Sequence, residues 1–146
     1  MDNNEIESSV MPKILVLQGI PASGKTTFAK QFVKDNEHWI RVNRDDIRRM
    51  FGEYWVPKRE YLVEATEYAI AEEAIINGWN VIVDDTNLNP IYIDGWKEIA
   101  GLNNCEIEFK EFKISLEEAL KRDSERENPV GKETVTRFYR KYYGNV

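Results

Sequence analysis

Eight consecutive residues, Gly19-Ile20-Pro21-Ala22-Ser23-Gly24-Lys25-Thr26, carry glycines, a lysine and a hydroxyl at the spacing of a loop that wraps a triphosphate. An apolar run, Ile14-Leu15-Val16-Leu17, precedes them, and a helix-compatible run, Thr27-Phe28-Ala29-Lys30-Gln31-Phe32-Val33, follows. The glycines let the backbone curl until successive N–H groups point at phosphate oxygens. The helix adds its free N-terminal N–H groups and the positive end of its dipole. The expected phosphate-binding set is therefore Gly19 through Thr27. Within it Lys25 reaches the β- and γ-phosphates, and the Thr26 hydroxyl holds Mg²⁺. Such a chain binds a nucleoside triphosphate.

Transfer of a γ-phosphoryl group also needs an in-line acceptor and a group to take the acceptor's proton. The carboxylate candidates are Asp45, Asp46 and the pair Asp84-Asp85. Side chains alternate along a strand, so at most one of Asp84 and Asp85 faces a metal; the other bonds backbone or solvent. Asp45 and Asp46 pose the same choice, which spacing leaves open, and both could simply cap a helix after Asn43. Arg44 and Arg48 flank these acids. Arg122 and Arg126 lie four apart just before Glu127-Asn128-Pro129-Val130-Gly131, a position suited to a lid that folds over a triphosphate. Their competing role is surface pairing with Glu118 or Asp123.

The elements that must position these residues alternate. Lys13 to Gln18, Trp39 to Asn43, Asn80 to Asp84 and Glu106 to Lys113 read as strands, the first and third apolar enough to be covered on both faces. Between them lie a helix running from the loop to about Asp35-Asn36, a short one from Asp46 to Phe51, and a long one from Lys58 to Asn77. The long helix shows apolar residues at Tyr61, Leu62, Ala65, Tyr68, Ala69 and Ile76, and Gly78 closes it. Asn89-Pro90 starts another helix as cap and first turn. Ser115-Leu116-Glu117-Glu118 is a capping box opening a helix to about Arg126, and Lys132 to Tyr143 is the last. This alternation predicts a three-layer α/β fold with a central parallel sheet flanked by helices and a C-terminal helical lid. Ligands of such sheets bind beyond the carboxyl ends of the strands, where the loop, Asn43-Arg44-Asp45-Asp46 and Asp84-Asp85-Thr86-Asn87 should converge.

The 146 residues suit one domain, expected over 12–146 behind a loose polar tail at 1–11. No apolar run is long enough for a membrane span, and no basic-then-apolar leader opens the chain. A lone Cys105 excludes an internal disulfide and fits a reducing cytoplasm. The net charge of −6 is unevenly spread. Residues 60–118 carry 14 acidic and 3 basic side chains, whereas 44–59 carry 3 against 5 and 119–146 carry 4 against 7. The positive blocks lie where a kinase would meet its substrates, and phosphate recognition follows the local field.

In this order and spacing, GIPASGKTTFAK, VNRDDIRR, DDTNLNP and LKRDSER resemble the kinase domain of the T-even-phage polynucleotide 5′-kinases, from about Met11 to Tyr143. The P-loop is widely shared; the NRDD and DTNLNP segments are far more specific. The resemblance implies transfer of the ATP γ-phosphate to the 5′-hydroxyl of RNA or DNA. It implies that Asp45 is the general base and that Arg48 contacts the acceptor's scissile-side phosphate, the transferring group, or both. Asp85 would orient the acceptor and Arg48, and Arg122 and Arg126 would clamp ATP. Lys25 completes that catalytic set, with ATP and Mg²⁺ as cofactors. The phage enzyme's phosphatase domain has no counterpart here, so 3′-end processing is expected to be absent or to come from a separate chain, a phosphatase or ligase being the expected partner. Two other functions fit parts of the pattern: a P-loop kinase of a nucleoside, sugar or antibiotic hydroxyl, and a nucleotide-binding switch without transfer chemistry.

Overall fold

Period-two alternation in two apolar strands decides which layer each flanking helix joins. The computed structural model describes residues 11–144, so the expected tail lies outside them apart from Met11. Its strands are β1 (Lys13–Gln18), β2 (Trp39–Val42), β3 (Asn80–Asp84) and β4 (Glu106–Glu111), all parallel in the order β2-β3-β1-β4. The helices are α1 (Lys25–Asp35), α2 (Arg44–Met50), α3 (Glu60–Ile76), α4 (Pro90–Leu102), α5 (Leu116–Ser124) and α6 (Lys132–Tyr143), with a 3₁₀ turn at Pro57–Arg59.

Ile14 and Val16 of β1, with Val81 and Val83 of β3, face one side of the sheet. There they bury Ala71 and Ile75 of α3 and Trp96, Ile99 and Ala100 of α4. Leu17 and Ile82 face the other side, against Ala29, Phe28 and Phe32 of α1. A third cluster joins Ile20 of the P-loop to Ala119 of α5 and Val135 of α6. That contact seats the C-terminal helices beside the phosphate loop and makes them a lid.

Three expectations are corrected. The buried stripe of α3 is Val63, Glu67, Ala71 and Ile75, while Tyr61, Leu62 and Ile76 are exposed. The i, i+4 row that faces the sheet contains a glutamate, so apolarity alone selected the wrong face. Helix α2 begins at Arg44 rather than Asp46, because Asn43 itself is the cap and its side chain accepts from the Asp46 N–H. Helix α5 ends at Ser124, so Arg126 lies in the bend beyond it and does not share a helical face with Arg122.

Candidate active site

The P-loop leaves β1 at Gln18 and enters α1 at Lys25. Its curl needs a left-handed backbone at Ala22 (φ 68°) and Gly24 (φ 104°). At Gly19 a Cβ would come within 2.6 Å of Ser23 Oγ and 3.0 Å of the Phe112 carbonyl, so only hydrogen fits. Pro21 sits half-buried at the first turn of the loop, and Ile20 and Ser23 are buried. Helices α2, α4 and α5 are each capped by a side chain, whereas Gly24 gives α1 none. The first N–H groups of α1 are thus left for an anion.

Lys25 is buried in the hollow of this loop. Its ammonium donates to the carbonyls of Gly19 (2.7 Å) and Ile20 (2.8 Å) and to Ser23 Oγ (3.2 Å). Burial pushes its pKa down to about 8, against the opposing pull of Asp84, Asp85 and Asp45; Arg126 lowers it further. Those four side chains come from three separate segments, and all are felt at one ammonium. Thr26 and Thr27 follow on the exposed first turn of α1.

Alternation along β3 separates the two aspartates at its tip. Asp84 lies opposite Leu17 in the register and points to the α1 side. There Thr26 and Arg41 both favour its charged form, although burial is the larger effect and raises its pKa. Arg41 donates to Asp84 Oδ2 from Nε (2.9 Å) and Nη2 (2.8 Å), while Asp84 Oδ1 is buried with no hydrogen-bond partner. A hydroxyl beside an unpartnered carboxylate oxygen is a pair of hard ligands suited to Mg²⁺, which keeps its remaining positions for water and phosphate. Among the described residues no group of three or more His, Cys, Asp or Glu could hold a metal by itself.

Asp85 points the other way and is buried. Its Oδ1 accepts the backbone N–H of Arg44 (2.8 Å), and its Oδ2 is 3.6 Å from the Arg44 guanidinium. Glu67 of α3 completes this group at 3.3 Å from Arg44, its carboxyl pushed well up by burial and by Asp85. The partner of Asp85 is therefore Arg44; Arg48, which it was expected to orient, is held instead by Asp45 (2.6 Å) and Glu60 (2.6 Å). Asp85 thereby pins the first residue of α2.

The first turn of α2 also separates Asp45 from Asp46. Asp46 is engaged by Arg41 (2.6 Å) and Arg49 (3.2 Å). Asp45 accepts from Arg48 and from the Tyr54 hydroxyl (2.8 Å) and lies within electrostatic reach of Lys25. Trp55 is exposed, and the Arg48 guanidinium lies 5.8 Å from its ring centre.

On the lid, Arg122 bonds Glu118 (3.0 Å), while its Nη1 also reaches to 3.7 Å from where a Gly24 Cβ would stand. Surface pairing and proximity to the loop coexist. Arg126 is 3.4 Å from Asp123 and partly exposed. Asp123 is buried and accepts the N–H groups of Val130 (3.0 Å) and Gly131 (2.9 Å), which fixes the turn between α5 and α6. Arg41, Glu60 and Glu67 are not among the expected site residues, and Asp84 enters only as one of a pair of candidates. Only strand parity at Asp84 offered a signal, and it left the choice between two neighbours open.

A family model for an AAA domain matches residues 14–143. The chain is 33% identical over 147 residues to a protein assigned as a bifunctional polynucleotide kinase/RNA ligase in Autographa californica nuclear polyhedrosis virus, covering 89% of this chain and 21% of the other. It is 30% identical over 136 residues to L-seryl-tRNA(Sec) kinase of Methanococcus maripaludis, covering 88% and 52%. Among solved structures, the Pnkp1/Rnl/Hen1 RNA repair complex contains a chain that aligns with a TM-score of 0.81 at 30% identity, over 92% of this chain and 45% of that one. The chain spans between about a fifth and a half of the length of these relatives. With a P-loop built on β1, an aspartate at the tip of β3 and a lid seated on Ile20, the chain belongs to the AAA-domain family of P-loop proteins.

Proposed function

We propose that this chain transfers the γ-phosphoryl group of ATP to the 5′-hydroxyl of an RNA or DNA strand. The observation that carries the reading is Asp45, set between Arg48 and Tyr54 and within electrostatic reach of the P-loop lysine. A nucleotide switch has no use for a carboxylate so placed. The kinship with a polynucleotide kinase/RNA ligase and with a chain of an RNA repair complex supports a polynucleotide acceptor.

In this reading the loop amides and Lys25 bind the triphosphate, and Arg122 and Arg126 close over it. Thr26 and Asp84 would hold Mg²⁺, which when bound would neutralise charge on the triphosphate. Asp45 takes the proton of the 5′-hydroxyl as its oxygen bonds to the γ-phosphorus. The bond from that phosphorus to the β-phosphate oxygen breaks, and ADP leaves. Arg48, on the acceptor side, contacts the strand's phosphate or the group in transfer. Residues 44–59 supply the positive field. The proposed unit is a kinase domain over 12–146 acting in the cytoplasm in nucleic-acid repair. Among the described residues no helix is long and apolar enough to cross a membrane.

A second reading, phosphorylation of a compact hydroxyl substrate, draws on the 30% identity to a kinase of seryl-tRNA. Labelled ATP with a panel of 5′-hydroxyl oligonucleotides, nucleosides, sugars and seryl-tRNA separates the two. The expected result is transfer to oligonucleotides, with acceptor affinity falling steeply as salt rises. Transfer to a nucleoside, a sugar or the seryl group in place of the oligonucleotides would favour the second reading.

Lys25 sets a pH limit on nucleotide binding. Phosphate binding requires the ammonium, and the free protein loses that proton near pH 8. Affinity for a non-hydrolysable ATP analogue should therefore be level below pH 8. Above it, affinity should fall by up to about tenfold per pH unit, since binding must then take up a proton. Calorimetry from pH 6.5 to 9.5 reads this directly; a level profile across that range would exclude a lowered lysine at the phosphates.

A further inference from the structure

We propose that Tyr54 is a positioning residue for the base: with Arg48 it holds Asp45 by one carboxylate oxygen and turns the other toward the acceptor hydroxyl. The inference rests on the assignment of Asp45 as that base. The Tyr54 hydroxyl donates to Asp45 Oδ1 at 2.8 Å, and Arg48 Nη1 donates to the same atom at 2.6 Å. Two donors on one oxygen stop the carboxylate rotating about its Cβ–Cγ bond, and Oδ2 is the atom left to accept a proton. An Arg48 bond alone would anchor Oδ1 but leave the plane of the carboxylate free to rock, because a single bond fixes a point and not an orientation.

Tyr54 is itself anchored from two sides. Arg48 and Arg49 lie 5.9 and 5.4 Å from its ring centre. Arg48 is clamped in turn by Glu60, through Nε (2.9 Å) and Nη2 (2.6 Å). Thus Glu60 on α3 fixes Arg48, and Arg48 and Tyr54 together fix Asp45. The hydroxyl remains a donor across the working range, since burial and Asp45 push the Tyr54 pKa up to about 12. In the transfer step Oδ2 receives the acceptor's proton as the O–H bond breaks and the new O–P bond forms; the bond from the γ-phosphorus to the bridging oxygen breaks, and ADP leaves with that oxygen and the bonding electron pair.

The test uses the full chain with saturating ATP and a 5′-hydroxyl oligonucleotide. Tyr54→Phe should lower kcat about tenfold, the scale of one hydrogen bond to a charged group, while the acceptor KM and the thermal midpoint stay within about twofold and about one degree of the parent. In an Asp45→Ala background the same change should cost nothing further, because its only effect runs through that carboxylate. A Tyr54→Phe enzyme with the parent kcat overturns the proposal. So does a silent Phe variant beside a Tyr54→Ala variant with raised acceptor KM, which would make the ring a stacking wall with Trp55. If Asp45→Ala alone keeps full rate, it is the assignment of the base that has failed.

Discussion

Replacing Asp45 by alanine should lower kcat for phosphoryl transfer to a 5′-hydroxyl oligonucleotide by roughly 10²–10⁴, the scale of a positioned acid–base group. The loss should fall on the chemical step. Asp45 touches Arg48 and Tyr54 and contributes no bond to the P-loop, so affinity for an ATP analogue should stay close to the parent's. Asp46→Ala is the internal control. That carboxylate is taken up by Arg41 and Arg49, and its removal should cost at most a few-fold, through a looser Arg41 beside Asp84. Single-turnover rates on the two variants decide the matter. Full activity in Asp45→Ala with loss in Asp46→Ala would transfer the role of base to the neighbour and would require Asp46 to leave both arginines.

The contrast between these adjacent acids shows what one-dimensional spacing can and cannot carry. The phosphate loop was legible because its chemistry is mostly backbone chemistry, and glycine, lysine and hydroxyl positions fix a backbone path with few alternatives. The two central strands were legible because Ile14 to Leu17 and Val81 to Val83 are apolar on both faces, as a covered parallel sheet requires. Strand parity placed Asp84 and Asp85 on opposite sides of the sheet. It could not say which of them faces α1, because the side of the sheet taken by that helix is a tertiary fact. Asp84 goes to the Thr26 side and Asp85 to the Glu67 side.

Glu67 was illegible for the same kind of reason. A glutamate in a helix reads as a solvent-facing position, and here it is almost wholly buried, supported by Arg44 and Asp85. A partner 23 residues away in one direction and a strand end in the other leave no local trace. The pairing of Arg48 with Glu60 was hidden likewise, since the 3₁₀ turn at Pro57–Arg59 brings the start of α3 back against α2. Polar networks that close between distant segments position this site, and they are what the linear pattern conceals.

Arg126→Ala carries the second large effect, an expected loss of about 10³ in kcat, the scale of an arginine that stabilises a transferring phosphoryl group. The present partner of Arg126 is Asp123, at 3.4 Å and partly open to solvent, and such pairs contribute on the order of 0–1 kcal/mol to stability. Asp123 keeps its bonds to the Val130 and Gly131 N–H groups when the arginine is gone, so the turn of the lid survives. The thermal midpoint should accordingly barely move. Arg126 also depresses the Lys25 pKa, which means that its charge already lies near the phosphate loop. Arg126→Ala should therefore raise the pH at which nucleotide affinity begins to fall, even as the rate collapses. A surface salt bridge would produce neither change: unaltered kinetics with an unaltered pH profile would return Arg126 to that role and leave Arg122, 3.7 Å from the Gly24 position, as the arginine to test next.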